Sequence, residues 1–98
     1  MLFRSPEAAR LVAGVLEDPD LWVRRLAAEV LGKLGGDPAL EGLIKALGDA
    51  ELVVRAAALG SLRKLTGEDN GFDPQASAAD RRRAVQRWQA WWEGRKGK

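Results

Sequence analysis

The chain contains no cysteine and no histidine. Without cysteine there is no disulfide framework and no thiolate chemistry. Without histidine the chain lacks the commonest general base and the commonest metal ligand. No Ser/His/Asp, Cys/His or histidine-containing metal set can be assembled from the residue types that remain. We therefore predict a protein that is not an enzyme, with no catalytic residues, no metal site and no cofactor.

Long apolar runs are also missing. No stretch approaches the roughly 20 apolar residues that a membrane-spanning helix needs. The N-terminal sequence MLFRSPEAAR has no apolar centre of the kind found in signal peptides. These absences predict a cytoplasmic protein with no membrane partner. The 98 residues are 46% hydrophobic and 31% charged, which is typical of a single globular domain with a modest core.

The charge is unevenly distributed, although the net value is only +2. Residues 1–76 carry 12 acidic and 9 basic side chains, whereas residues 77–98 carry 2 acidic and 7 basic ones. The main body is therefore mildly acidic, and the positive charge is concentrated in the C-terminal segment.

The most informative feature present is an internal repeat. Asp18–Gly36 aligns with Asp49–Gly67 at an offset of 31 residues, and nine of the nineteen aligned positions are identical. The identical pairs are Asp18/Asp49, Leu21/Leu52, Val23/Val54, Arg24/Arg55, Ala27/Ala58, Leu31/Leu62, Lys33/Lys64, Leu34/Leu65 and Gly36/Gly67. A repeat of this length indicates stacked supersecondary units rather than one irregular core.

Apolar residues at spacings of three and four predict that each unit is a pair of helices. The predicted stripe of the first helix is Ala8, Leu11, Val12, Val15 and Leu16, and that of the second is Val23, Leu26, Ala27, Val30, Leu31 and Leu34. Asp20 is the predicted N-cap of the second helix. Connections of about three residues favour antiparallel neighbours.

The predicted fold is therefore all-α, an α-solenoid of two antiparallel helix pairs followed by a C-terminal capping helix. We predict a single domain over residues 1–98. Its parts are a helix pair at 6–34, a helix pair at 38–65, a loop at 66–76, a capping helix at 77–93 and a basic tail at 94–98.

The repeated residues resemble a HEAT repeat, of the short bacterial kind also found in phycobilin lyase-like proteins and in designed helical repeats. The matching signature is Asp18, Val23-Arg24, Ala27-Ala28 and Leu31-Gly32-Lys33-Leu34-Gly35, and the likeness covers residues 6–65. The C-terminal segment is similar to the closing segment of some bacterial HEAT-repeat proteins. The resemblance implies a solenoid that binds other macromolecules. It also implies that Asp18, Asp49, Arg24 and Arg55 bridge neighbouring repeats.

The candidate partner site lies on a different face of the second helix from the leucine stripe. Trp22, Arg25 and Glu29 share this face because helical residues three and four apart are neighbours. The resemblance places such a face on the concave side of the solenoid. The equivalent residues of the next repeat are Val53, Ala56 and Gly60, which are small and apolar. Trp and Arg are common anchors of protein interfaces. The alternative is that Trp22 packs on a preceding helix pair or on Arg25.

The C-terminal segment allows two interpretations. Arginines and tryptophans occur together here, a combination that binds single-stranded nucleic acid. The residues are Arg81, Arg82, Arg83, Arg87, Trp88, Trp91 and Trp92. However, Val85, Trp88 and Trp92 lie on one helical face, which is typical of a core stripe that covers the open end of a solenoid. We predict the capping role and do not expect a nucleic-acid partner.

The sequence therefore predicts a non-enzymatic scaffold or adaptor, which binds a protein partner through the concave face of its second helices. One alternative is a HEAT-like module that binds nucleic acid through the basic C-terminal helix. Another is the terminal fragment of a longer solenoid. Leu2, Phe3 and the first helix are predicted to expose apolar surface at the N-terminal end. Further repeats would cover this surface, or a second copy would do so by end-to-end self-association through the N-terminal helix.

Overall fold

The computed structural model describes residues 6–96, and within this range it contains five α-helices and no β-strand. The helices are α1 (Pro6–Val15), α2 (Leu21–Leu34), α3 (Asp37–Ala46), α4 (Leu52–Thr66) and α5 (Ala78–Lys96). The all-α prediction is confirmed. Leu2 and Phe3, which the sequence predicts to expose apolar surface, lie outside the described residues.

Local sequence signals explain where the helices begin and end. The Asp20 carboxylate accepts a hydrogen bond of 2.8 Å from the backbone N–H of Trp22, so the predicted N-cap of α2 is confirmed. At the other end of α2, Gly35 and Gly36 adopt φ values of 69° and 86°, which favour glycine. The last helix continues to Lys96, three residues beyond its predicted end.

The helices form two stacked pairs, α1 with α2 and α3 with α4. The most extensive packing joins α2 to α4, and α1 also packs on α3, so the second pair lies directly on the first. Helix α5 lies against α3 at the far end of the stack. The largest fully buried side chains are Trp88, Leu31, Leu43, Leu47, Leu62 and Val54. The core is thus shared between both pairs and α5.

The predicted apolar stripes are partly wrong. Leu11 of α1 is 76% exposed and Leu26 of α2 is 59% exposed. Conversely, Ala28 and Gly32 are buried although the stripe omitted them. The reason is that a stacked helix needs two buried faces, one toward its own partner and one toward the next pair.

An arginine joins the two helix pairs. Arg24 donates to both carboxylate oxygens of Asp49 at 2.9 and 3.2 Å, and its remaining N–H groups reach the carbonyls of Asp18 and Pro19. The Asp49 hydrogen bond raises the pKa of the Arg24 guanidinium. The bridge implied by the resemblance is therefore present between Arg24 and Asp49.

The equivalent Arg55 does not make the equivalent bridge. Its guanidinium donates to the Pro74 carbonyl at 3.1 and 2.9 Å and to the carbonyls of Asp49 and Ala50. The acid at the corresponding offset is Asp80, and this carboxylate pairs with Arg83 instead. Burial, with help from nearby Arg81, lowers the pKa of Arg55. A loop carbonyl thus replaces the acid of a following repeat.

Candidate functional site

Trp22 is the centre of the candidate site and lies in the first turn of α2. The residue is 58% exposed, and the Arg25 guanidinium carbon lies 5.9 Å from the ring centroid. This is the distance expected for a cation–π contact. Trp22 therefore packs on Arg25 and is still more than half exposed.

Arg25 is held from its other side by Glu29, one turn further along α2. The Arg25 Nη2 and Glu29 Oε2 atoms are 3.2 Å apart, and both side chains are 45% exposed. Exposed pairs of this kind contribute only about 0.3–0.5 kcal/mol to stability. The pair therefore does little for the fold, but it holds the guanidinium beside the indole ring.

The corresponding positions on α4 form a low surface on the helix next to α2. Val53 is half-buried, whereas Ala56 and Gly60 are exposed. A Cβ atom placed on Gly60 would have no other atom within 4 Å, so nothing stands above this part of α4. Because α4 packs directly against α2, the small residues lie on the helix adjacent to Trp22.

A tight contact holds α2 and α4 together beneath this surface. The Ser61 hydroxyl donates a hydrogen bond of 2.7 Å to the Ala28 carbonyl across the two helices. The side chain of Ser61 also lies directly over Gly32, which has no Cβ atom to obstruct it. The relative position of the two helix faces is therefore set by packing that is independent of the exposed residues.

The residues of this site can contact another molecule in several ways. It presents an aromatic ring, a guanidinium, a carboxylate and a flat apolar strip. In the part of the chain that the structure describes, no group of three or more acidic side chains is placed to hold a metal ion. Among the six candidate residues, Glu29 is the only carboxylate, and it is paired with Arg25. The arrangement is suited to binding another surface.

Sequence reasoning missed one apolar neighbour of this site. Leu26 lies one turn after Trp22 on α2 and is 59% exposed, although its spacing predicted a buried residue. The second repeat has Ala57 at the position equivalent to Leu26. This difference in size could have indicated that the two positions have different surroundings.

The tryptophans of α5 lie mainly inside the protein. Trp88 is fully buried and donates a hydrogen bond of 2.8 Å from Nε1 to the Asp69 carbonyl. Trp92 is 7% exposed, and half-buried Trp91 meets Trp88 edge-on at a centroid distance of 5.3 Å. Two of the three rings are therefore unavailable for stacking on nucleic-acid bases.

Two of the arginines on α5 also bond to the loop before the helix. Arg87 donates to the carbonyls of Asn70 and Gly71, and Arg81 donates to the Ala76 carbonyl. Together with the buried rings, these contacts fasten α5 to residues 69–76. This arrangement agrees with the capping interpretation of the C-terminal helix.

A stack of helix pairs that a further helix closes at one end defines an α-helical repeat protein. A family model described as HEAT repeats matches residues 2–63, which is more than half of the chain. The chain therefore belongs to the HEAT-repeat family, as the resemblance indicated. A search of curated proteins and a search of solved structures found no match. Within residues 6–96, no helix is long and apolar enough to cross a membrane.

Proposed function

We propose that the protein is a non-enzymatic scaffold or adaptor that binds a protein partner through the exposed face of α2 and α4. This α2–α4 face consists of Trp22, Arg25, Glu29, Val53, Ala56 and Gly60. The observation that carries the proposal is the exposure of Trp22, because a large aromatic ring is costly to leave in water when it supports no core.

The energy available at Trp22 is large enough to anchor a partner. A tryptophan buries 150–250 Å² when it is fully enclosed, so covering its exposed 58% removes roughly 90–150 Å² from water. At about 25 cal/mol per Å² this corresponds to roughly 2–4 kcal/mol before the costs of association. One ring therefore supplies the contribution expected of an interface hot spot.

The neighbouring residues indicate which kind of partner fits. Val53, Ala56 and Gly60 leave a low apolar strip beside the ring, which suits an extended segment or a helix laid across it. Arg25 and Glu29 already neutralise one another, so the face has no strong preference for a charged partner. We expect the partner to place an apolar side chain against Trp22 and polar groups near Arg25 and Glu29.

Three considerations favour a protein-binding role over catalysis and over nucleic-acid binding. The only carboxylate of the face, Glu29, is paired with Arg25, and the chain contains no histidine or cysteine. HEAT repeats generally mediate protein interactions, and the chain belongs to that family. The buried Trp88 and Trp92 make the nucleic-acid alternative the weaker candidate, because their rings cannot stack on bases.

The test is to replace Trp22 with alanine and to measure binding and folding separately. Partners are captured with the parent protein and with Trp22→Ala, and the affinity for a captured partner is measured by calorimetry. We expect the substitution to remove about 2 kcal/mol or more of binding, which is a loss of roughly 30-fold in affinity. The melting temperature should barely change because the ring is exposed.

Leu11→Ala is the matched control, since it truncates another exposed apolar side chain on a different helix. It should leave partner binding unchanged. If Trp22→Ala unfolds the protein, the ring is structural and the assignment is wrong. If neither folding nor binding changes, the partner binds elsewhere.

A further inference from the structure

The first helix pair exposes apolar side chains at positions that the second helix pair covers. Leu11, Val15 and Leu26 are 76%, 39% and 59% exposed. Their counterparts 31 residues later are Gly42, Ala46 and Ala57, which are smaller and are half-buried or buried. Together with Trp22, the three large side chains form a patch that we call the open end.

In the second helix pair, these positions form the interface with the first pair. A Cβ atom on Gly42 would lie 3.2 Å from the Ala13 Cβ atom, so α3 approaches α1 closely at this point. Ser61, the counterpart of Val30, bonds across to Ala28. The open end therefore occupies the positions of an interface between helix pairs, but it has no pair packed on it among residues 6–96.

The opposite end of the molecule is a poor match for the open end. Helix α5 closes it by burying Trp88 and Trp92. The exposed side chains of α5 are mainly polar, among them Arg82, Arg83, Gln86, Gln89 and Glu93. A head-to-tail stack would therefore place the apolar open end against polar side chains. Two open ends can instead cover one another when two copies meet about a two-fold axis.

Charges around the open end do not oppose such a pairing. The exposed charged residues of α1 and α2 are Glu7, Arg10, Arg25, Glu29 and Lys33, so both signs are present and interspersed. Two copies that meet face to face therefore bring no large field of one sign together.

We propose that two copies of this chain associate head to head through the open end, with Leu11 and Leu26 at the centre of the contact. This surface differs from the α2–α4 face, and the proposal does not depend on the proposed function. Only Trp22, at the boundary of the two surfaces, belongs to both.

The size of the open end sets the expected strength of the dimer. Helices of 10 and 14 residues are roughly 15 and 21 Å long and about 10 Å wide, so the face covers roughly 400 Å² per copy. A standard stable interface uses about 800 Å² per partner. We therefore expect a weak dimer with a dissociation constant in the micromolar range or above, rather than an obligate one.

The first experiment measures the mass of the full 98-residue chain by sedimentation equilibrium, at concentrations from micromolar to millimolar. The parent should shift from monomer to dimer across this range. Leu11→Glu should weaken the dimer at least tenfold, and circular dichroism should show that it stays folded because Leu11 is largely exposed. Ala56→Glu, the matched control on the α2–α4 face, should dimerise like the parent.

The second experiment tests the symmetry of the contact. The chain has no native cysteine, so Leu11→Cys provides a single reactive position. A short bismaleimide should link two Leu11→Cys chains much faster than two Gln89→Cys chains, because Gln89 is an exposed residue of α5 and not of the open end.

A parent that stays monomeric at all concentrations overturns the proposal, and another occupant then covers the open end. A dimer that Ala56→Glu disrupts and Leu11→Glu does not would also overturn it, since the α2–α4 face would then be the contact. Equal cross-linking of the two cysteine variants would refute the head-to-head arrangement. Because Trp22 belongs to both surfaces, the binding test at Trp22 is done at protein concentrations below the dimer dissociation constant, where the two results stay distinguishable.

Discussion

Alanine substitution at two glycines should have opposite effects on stability, although the chemical change is the same. Gly32 lies inside α2 and Gly60 inside α4, so alanine improves the helix propensity at both positions by about 1 kcal/mol. Their surroundings differ. A Cβ atom at Gly32 would overlap the Ser61 side chain, with its Cβ only 2.7 Å away, whereas a Cβ atom at Gly60 meets nothing within 4 Å.

The expected magnitudes follow from these distances. Gly60→Ala should stabilise the protein by about 0.5–1 kcal/mol because nothing opposes the propensity gain. At Gly32 the gain is offset by overpacking, which costs about 1–3 kcal/mol. If Ser61 rotates away, its hydrogen bond to the Ala28 carbonyl is lost as well, at about 1 kcal/mol. Gly32→Ala should therefore destabilise the protein by about 1–2 kcal/mol.

Urea denaturation followed by circular dichroism measures both free energies of unfolding. The double variant Gly32→Ala/Ser61→Gly removes the overlapping side chain, so the two substitutions should be coupled by about 1 kcal/mol or more in the favourable direction. If Gly32→Ala stabilises the protein as Gly60→Ala does, α2 and α4 are not packed as closely as described. An additive double variant would contradict the role of Ser61.

Two further predictions concern the C-terminal cap. Trp88→Ala should lose about 3–5 kcal/mol of stability in a thermal melt, because the ring is fully buried, and Trp91→Ala should lose less; equal stability of Trp88→Ala and the parent would refute the capping role. A hydrogen bond from the Gly71 N–H, and a weaker contribution from Arg63, hold the pKa of Asp69 below its ordinary value of 3.8. The Asp69 carboxylate therefore stabilises the fold fully above pH 3.8. This stabilisation is lost as the pH falls through the lower pKa of the folded state. Asp69→Asn should therefore flatten the acid side of the stability profile, and an unchanged slope would contradict this.

Much of the fold could be predicted because the repeat aligns one helix pair with the other. The structure agrees with the repeat offset of 31 residues. It also agrees with two local signals, the N-cap at Asp20 and the glycines after α2. The buried faces were harder to predict, because periodicity shows that a residue is apolar but not whether a neighbour covers it. Leu11 and Leu26 fit the helical spacing as well as Leu31 does, yet the first two are exposed.

The sequence could predict the candidate site only as a set of positions expected to be exposed. The pairing of Arg25 with Trp22 and Glu29 follows from helical spacing and is present in the structure. The contacts of Arg55 could not be predicted in this way, because its acceptor on Pro74 belongs to a loop without repeat symmetry. The partner and the part of this face that binds it stay predictions.

The replacement of a carboxylate by the Pro74 carbonyl bears on how such a chain can lengthen in evolution. Tandem duplication adds repeat units, and each new unit must satisfy the arginine of the unit before it. A unit inserted after α4 would have to displace the loop from Arg55, which already donates four hydrogen bonds. A unit added before α1 would meet no such competitor in the described residues. A unit could therefore be added on the N-terminal side without disturbing an existing arginine contact, whereas a unit added after α4 could not.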